Sequence, residues 1–494
     1  MCRLFPKSWK WETWLSSPQH NHPFRCNPEH VQSSTAEFEE PGTFEVREAL
    51  QLHQGRRRGY HHVSGHINLI PGAADQVPQL IVNTTVWSSW PQTLDRRIAT
   101  KTTDTALRLQ LVSSGPPGED DGDEDGDDDD DDDDDDEQEC TFIRLNIAVA
   151  PNTTLSTLSI RSTHLSLSFY PDLAPAHLLV TNTTSIRLSR GAVAARAASS
   201  VPPARNTSIE LASGAIAGVF PLVDLLCLST QSGAVRASVV PYASSPLNRS
   251  SSSSSIPPAV LDASTQAGDL HVTFSAADGG AVPPRTYVTR ARTASGALGG
   301  RFLLGQQTRL QSAVGALKAE ILPVYSPRAV EGAGEDEEEE EEEEDYAHTL
   351  STSTNAGSSQ IRVLSPVAVS HPSSSPPPAH PPLTITTTHT SRTGFLRAVY
   401  PPAWRGAVCA VARIGHVKLG GEGVRVTRRE RLGWVGSRVC GVKGDGVGGG
   451  AEEDGVDVQL SVQTGDVEFW VSSDGEGNEQ GREWGDDGGE DAEL

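Results

Sequence analysis

The sequence predicts an all-β chain wound as a single-stranded β-solenoid, and three observations predict it. A Ser/Thr-x-x-Gly step, strict in six copies and degenerate in three, recurs nine times between residues 211 and 465. The steps share a base period close to 20 residues once low-complexity inserts are set aside. The flanking segments alternate apolar and polar residues, as half-buried strands do, with no clean helical period. Ala192–Ser200 is the one weak helix candidate.

The repeat begins with Leu211-Ala-Ser-Gly214 and returns at Gly233, Gly268, Gly296, Gly315, Gly357, Gly394, Gly415 and Gly465. Successive spacings are 19, 35, 28, 19, 42, 37, 21 and 50 residues. Removing the Ser/Pro insert 245–258, the acidic insert 328–348 and the Pro-rich 366–382 reduces three of the longer gaps to 20 or 21. A unit of that length holds two or three short strands, and stacked units cover one another's apolar edges and open backbone hydrogen bonds. Glycine suits the corner because positive φ costs it little. The hydroxyl before it is expected to bond the turn backbone or to stack as a polar ladder. Inserts are tolerated at corners because loop closure grows costlier only slowly with length. A β-sandwich is the competing architecture; the scarcity of Asn-Gly and Asp-Gly turns disfavours it.

The predicted organisation is a disordered N-terminal region, 1–59, a solenoid domain over 60–470, and an acidic tail, 471–494. Low-complexity insertions fall near 113–139, 245–258, 328–350, 366–382 and 441–455. Trp9, Trp11 and Trp14 beside Lys7 and Lys10 are read as incidental aromatics of the leading region. Arg56, Arg57 and Arg58, with His61, His62 and His66, read as a solvated basic turn.

The net charge is −25, but it is concentrated. Glu119–Glu139 carries 18 carboxylates without a Lys or Arg, and Glu331–Asp345 carries 12. With these runs and the tail removed, the balance is positive. Runs of like charge repel themselves and read as solvated insertions. They also define an alternative function, an intracellular acidic-tract protein that binds basic partners.

Six cysteines occur without a CxxC pair, so no zinc site is expected. Cys409 and Cys440 are a candidate bridge, whereas Cys140 and Cys227 read as small core residues. No apolar run reaches the length of a membrane span, and the first residues lack a signal peptide's apolar core. Against that stand five N-x-S/T sequons, at Asn83, Asn152, Asn182, Asn206 and Asn248, candidate glycosylation sites in a secreted chain.

No catalytic, cofactor or metal residue is assigned. Asp269, Asp466, Glu210 and Glu320 read as exposed turn residues rather than the paired carboxylates of a polysaccharide-active solenoid, the least favoured alternative. Gly420-Gly-Glu-Gly423 and Val447-Gly-Gly-Gly450 lack a phosphate-binding context, and no GxSxG elbow occurs. Arg425, Arg428, Arg429 and Arg431 form the one dense basic patch. It reads as a solvated loop, and nucleic acid is not an expected partner.

With its S/T-x-x-G-x-Φ-x-Φ steps (Φ apolar), the chain resembles the putative adhesin domain family, DUF4097, and its fungal-type members. The resemblance spans Tyr60 to Val471 and is most convincing over Ile209–Glu320 and Leu383–Val471. Cys140-Thr-Phe-Ile-Arg-Leu-Asn-Ile-Ala-Val-Ala-Pro151 looks like the strand leading into the coils. The resemblance implies a non-catalytic solenoid serving as a surface for adhesion or for protein or glycan interaction, at the cell surface or secreted. The alternative compartment is cytoplasmic or nuclear. The chain departs from many fungal members in showing no membrane anchor.

Overall fold

The computed structural model describes residues 30–48, 62–89, 99–109, 140–242 apart from 172, 174, 175, 196, 198 and 199, then 257–275, 282–283, 285–325, 348–368, 385–444 and 457–472. The acidic runs, residues 473–494 of the tail, Asn248, Arg56–Arg58 and His61 lie outside them. Described residues form strands and turns, and no helix is among them.

The N-terminal part contributes β1 (His30–Phe38), β2 (Thr43–Glu48), β3 (His62–Pro71), β4 (Leu80–Ser88), β5 (Ala99–Thr103), β6 (Ala106–Leu109) and β7 (Cys140–Val149). From there the chain winds in two-stranded coils. These are β8 (Thr153–Ser162) with β9 (Leu165–Phe169), β10 (Leu178–Leu188) with β11 (Val193–Ala195), and β12 (Asn206–Ser213) with β13 (Ile216–Leu222). Next come β14 (Leu225–Ser232) with β15 (Val235–Pro241), β16 (Ala259–Ala267) with β17 (Leu270–Phe274), and β18 (Tyr287–Ser295) with β19 (Leu298–Leu304). β20 (Gln307–Val314) with β21 (Leu317–Tyr325) and β22 (His348–Ala356) with β23 (Ser359–Val363) follow; the short β24 (Val367–Ala368) lies beside β21. β25 (Ile385–Thr393) pairs off with β26 (Leu396–Tyr400), and β27 (Gly406–Ile414) with β28 (Val417–Gly421). β29 (Val424–Leu432) and β30 (Gly436–Lys443) make an antiparallel hairpin, and β31 (Val458–Thr464) with β32 (Val467–Val471) is the last coil in sequence.

Each coil gives its first strand to one 16-stranded sheet, here sheet I, and its second to another, sheet II. Rung lies on rung in parallel register, Ile209 on Leu228 and Ile216 on Val235. The core fills the space between the sheets as one continuous cluster. A single coil such as β12–β13 buries Ile209, Leu211, Ile216, Phe220 and Leu222, at about 1.5–3 kcal/mol per side chain. Two facing sheets resemble the competing sandwich. Successive strands, however, alternate between the sheets and pair in parallel, which only winding produces.

The corners explain the repeat. Gly214, Gly233, Gly268, Gly296, Gly315, Gly357, Gly394, Gly415 and Gly465 all have positive φ, between 124° and 141°. Each abuts the carbonyl of the glycine below, leaving no room for a Cβ. Several of the preceding hydroxyls, those of Thr230, Thr265, Thr293 and Ser312, are buried and bond the corner backbone. Thr265 donates to Gly268 O at 2.9 Å and Thr230 to Gly214 O at 3.1 Å. The Thr265 and Thr293 hydroxyls lie 2.9 Å apart, within hydrogen-bond distance, so hydroxyls link one coil to the next.

Four expectations need correction. Residues 30–48 lie inside the stretch read as a disordered leader, yet β1 pairs with β4 and β2 with β8, burying Phe38, Phe44 and Val46. The weak helix candidate at Ala192–Ser200 contains β11, whose Val193 and Ala195 face the core. Arg425, Arg428, Arg429 and Arg431 lie on β29, an end strand of sheet I, rather than in a loop. The stacking order also departs from chain order. β31 lies between β25 and β27, and β32 between β26 and β28, so Gly465 occupies the step between Gly394 and Gly415. The 21-residue gap from Gly394 to Gly415 therefore spans two rungs in space.

Candidate binding surface

Parallel register turns every outward position into a column of side chains, one per strand, about 4.8 Å apart. On the outer face of sheet I one column runs Arg108, Arg47, Arg161, Arg187 over β6, β2, β8 and β10. It continues as Glu210, Ser229, Ser264 and Arg292. The neighbouring column holds Ser208, Cys227, Asp262, Arg290 and Arg309. Along the first column, and reaching Cys227 and Asp262 of the second, lies an open groove of about 490 Å³ running from Arg47 to Arg292, with no aromatic side chain in its lining.

Arg47, Arg161, Arg187 and Arg292 line the groove together with Glu48, Glu210 and Asp262. Arg187 Nε lies 3.3 Å from Glu210 and Arg161 Nε 4.0 Å from Glu45, with all four side chains about half exposed. Exposed pairs of this kind contribute roughly 0–1 kcal/mol. They leave Arg161 and Arg187 accessible for bidentate contact with an anion.

One end of the groove is closed by a buried polar corner. The β8–β9 turn has no glycine. Glu48 fills it, accepting from the Ser162 hydroxyl, from Thr163 N at 2.9 Å and His164 N at 3.2 Å, and lying 2.6 Å from His164 Nδ1. Burial raises the Glu48 pKa, but the bonds from His164 and Ser162 outweigh it and hold the carboxyl below its usual range. Serine, histidine and carboxylate meet here in an order unsuited to nucleophilic catalysis: a relay needs the imidazole between acid and hydroxyl, and here the carboxylate is between the other two.

Cys227 corrects another expectation. It faces the groove, on the side of β14 away from Leu226 and Leu228. Burial, together with Asp262 and Glu210, pushes its thiol pKa up, so it stays protonated and a poor nucleophile. Cys140 is buried but disulfide-bonded rather than a free core residue. Cys409 and Cys440 are bridged, directly opposite each other on β27 and β30.

The remaining singled-out residues scatter. Asp269 accepts from Ala297 N at 2.9 Å and Asp466 from His416 N at 2.8 Å, each tying its corner to the adjacent coil. Glu320 pairs with Arg301 at 2.9 Å on sheet II. Asn83, Asn152 and Asn182 are exposed, and Asn206 is half-buried. His62 and His66 lie on β3. No group of three or more His, Cys, Asp or Glu suited to a metal occurs among the described residues. Nor is any helix there long and apolar enough to cross a membrane.

Two features escape the sequence pattern. Gly191, at φ 103°, begins the glycine column, since the Cβ position of Gly214 abuts its carbonyl. Its signal was present, because Leu188-Ser-Arg-Gly191-Ala-Val repeats the form of Leu211-Ala-Ser-Gly214-Ala-Ile. The arginine column had no comparable signal, since register alone brings those four residues together.

No family profile and no curated protein matches the chain. A solved structure from Clostridium sporogenes, named "putative cell adhesion protein", is 9% identical, covering 90% of this chain and 100% of its own, with a TM-score of 0.16. A likeness at that score carries no argument about role.

Proposed function

We propose that the chain is a non-catalytic, adhesin-like platform that holds an extended acidic glycan along the outer face of sheet I. The arginine column carries this reading. Arg108, Arg47, Arg161 and Arg187 stand in register on adjacent strands, and a row of like charges at strand spacing favours a bound anion. A polymer with a carboxylate or sulfate on each unit supplies such bridges, and the hydroxyls of Ser229 and Ser264 extend the track. The lack of aromatic residues in the groove disfavours single-stranded nucleic acid, which binds by base stacking. The carboxylate-centred Glu48 corner and the protonated Cys227 thiol support a binding role over a catalytic one.

The bridges at Cys140 and Cys409–Cys440 support passage through an oxidising compartment. This favours a secreted or surface location over the intracellular acidic-tract alternative. Exposed Asn83, Asn152 and Asn182 are then the favoured glycosylation sites.

The test is retention on immobilised polygalacturonate and heparin, with dextran as the neutral control. Wild type is expected to be retained by an acidic glycan and eluted by salt. The variant Arg161→Ser/Arg187→Ser is expected to bind about tenfold or more weakly, from the loss of two charge-assisted contacts. Failure of wild type to bind either acidic glycan, equal retention on dextran, or unchanged binding by the variant would overturn the reading. Preference for single-stranded DNA over both glycans would also do so.

A further inference from the structure

We propose that the β29–β30 hairpin is a docking element for an anionic lipid surface, independent of the sheet I groove. The hairpin closes the C-terminal end of the solenoid. β30 pairs antiparallel with β27, and Val417, Leu419 and Val424 pack against the core beneath. Its tip is Leu432-Gly-Trp-Val-Gly436.

Four large apolar side chains are exposed at this one corner: Trp434 at 91%, Val435 at 61%, Ile414 at 51% and Leu432 at 37%. They converge because the tip occupies the position a further rung would take. Gly415 N donates to Val435 O at 3.1 Å, continuing the bond that each glycine N–H in the column makes to the next coil. Isolated exposed apolar residues are ordinary, but a contiguous set with a nearly free indole marks an interaction site.

Cations line both strands of the hairpin behind the apolar tip. Arg428, Arg429 and Arg431 lie on β29, Arg438 on β30, and Arg413 adjoins Gly436 through its carbonyl. Glu430 is the carboxylate among them, paired with Arg428 and with Arg438. A tryptophan with an apolar body and a polar N–H, at the end of an arginine-rich hairpin, matches a headgroup layer whose surface is anionic and whose interior is apolar. The positive excess opposes docking of a second copy through the same tip.

The tip is also held before binding. Gly433, at φ 63°, makes the turn, and Arg431 Nη2 donates to Trp434 O at 3.1 Å. Little ordering entropy remains to be lost on docking.

The experiment is flotation of the full chain with phosphatidylcholine vesicles, with and without about 30% phosphatidylserine, at low and high salt. Wild type should float with the anionic vesicles only, and salt should release it. Trp434→Ser should weaken binding about tenfold, and each of Arg428→Ser, Arg429→Ser and Arg431→Ser roughly fivefold. Far-UV circular dichroism of each variant must match wild type, as expected for exposed positions. Absence of wild-type flotation, equal flotation with both vesicle types, or undiminished binding by Trp434→Ser would each overturn the proposal. Arg161→Ser/Arg187→Ser should float as wild type does; loss there would assign the lipid contact to the groove instead.

Discussion

Gly315 rests directly on Gly296: a Cβ added to Gly315 would lie 2.2 Å from the Gly296 carbonyl oxygen. The amide of Gly296 in turn donates to Val314 O at 2.9 Å. Close approach and positive φ, 129° at Gly315, thus demand glycine twice over.

Gly315→Ala is therefore expected to cost roughly 2–4 kcal/mol, combining backbone strain with the displacement of a neighbouring rung. Gly299 is the internal control. It lacks positive φ, and its nearest neighbour would be 3.4 Å from the new methyl. Gly299→Ala should stay within about 0.5 kcal/mol of wild type. Chemical denaturation of both variants checks the contrast; equal effects would mean that the column is not under compression.

His389 is fully buried between Thr352 Oγ1 at 2.8 Å and Tyr400 Oη at 3.0 Å, and burial lowers its pKa to about 3. In the unfolded chain it titrates near 6.5. Between those values the unfolded state holds the extra proton, so stability falls as pH drops from 6.5 toward 3, by about 1.4 kcal/mol per pH unit. Glu48, with a lowered carboxyl pKa, adds the same sign of dependence only below about 4.5. His271 is also lowered, by burial and by Arg236, and contributes equally to wild type and to a His389 variant. His389→Gln should thus flatten the stability slope between pH 6.5 and 5 by about 2 kcal/mol. Urea titrations at the two pH values measure this, and parallel slopes would contradict it.

The coil formed by β31 and β32 buries Val458, Leu460, Val462, Val467, Phe469 and Val471. Its removal forfeits burial on the order of 10 kcal/mol and uncovers both β25–β26 and β27–β28. A chain ending at residue 456 should lose protease protection over 385–443 while coils β12 to β21 persist. Limited proteolysis read by mass spectrometry tests this. Full protection of 385–443 would show that β27 can restack directly on β25.

The winding was legible because it rests on local chemistry. Gly214, Gly233, Gly296 and Gly315 announce their corners through the hydroxyl three residues before or the small residue just after. Where the determinant is non-local, the sequence falls silent. Nothing near Gly465 tells that it lies between Gly394 and Gly415, because parallel apolar rungs fit in either order until burial is optimised. Arg47 and Arg161 read as unrelated surface charges until register aligns them. On β29 the dense arginines masked Val424 and Val426, whose alternation was the strand signal. His30–Phe38 is polar along most of its length because, as an end strand, it keeps few residues on the core.

The misordered last rung also bears on how the chain is made. Ribosomes deliver β27, β28 and the hairpin before β31 and β32 exist, so the end cap must wait, or pack provisionally, until the final coil slides beneath it. A nascent chain is then sound only once β32 has emerged, and a product cut short before β31 would betray itself to proteases along an unfinished seam.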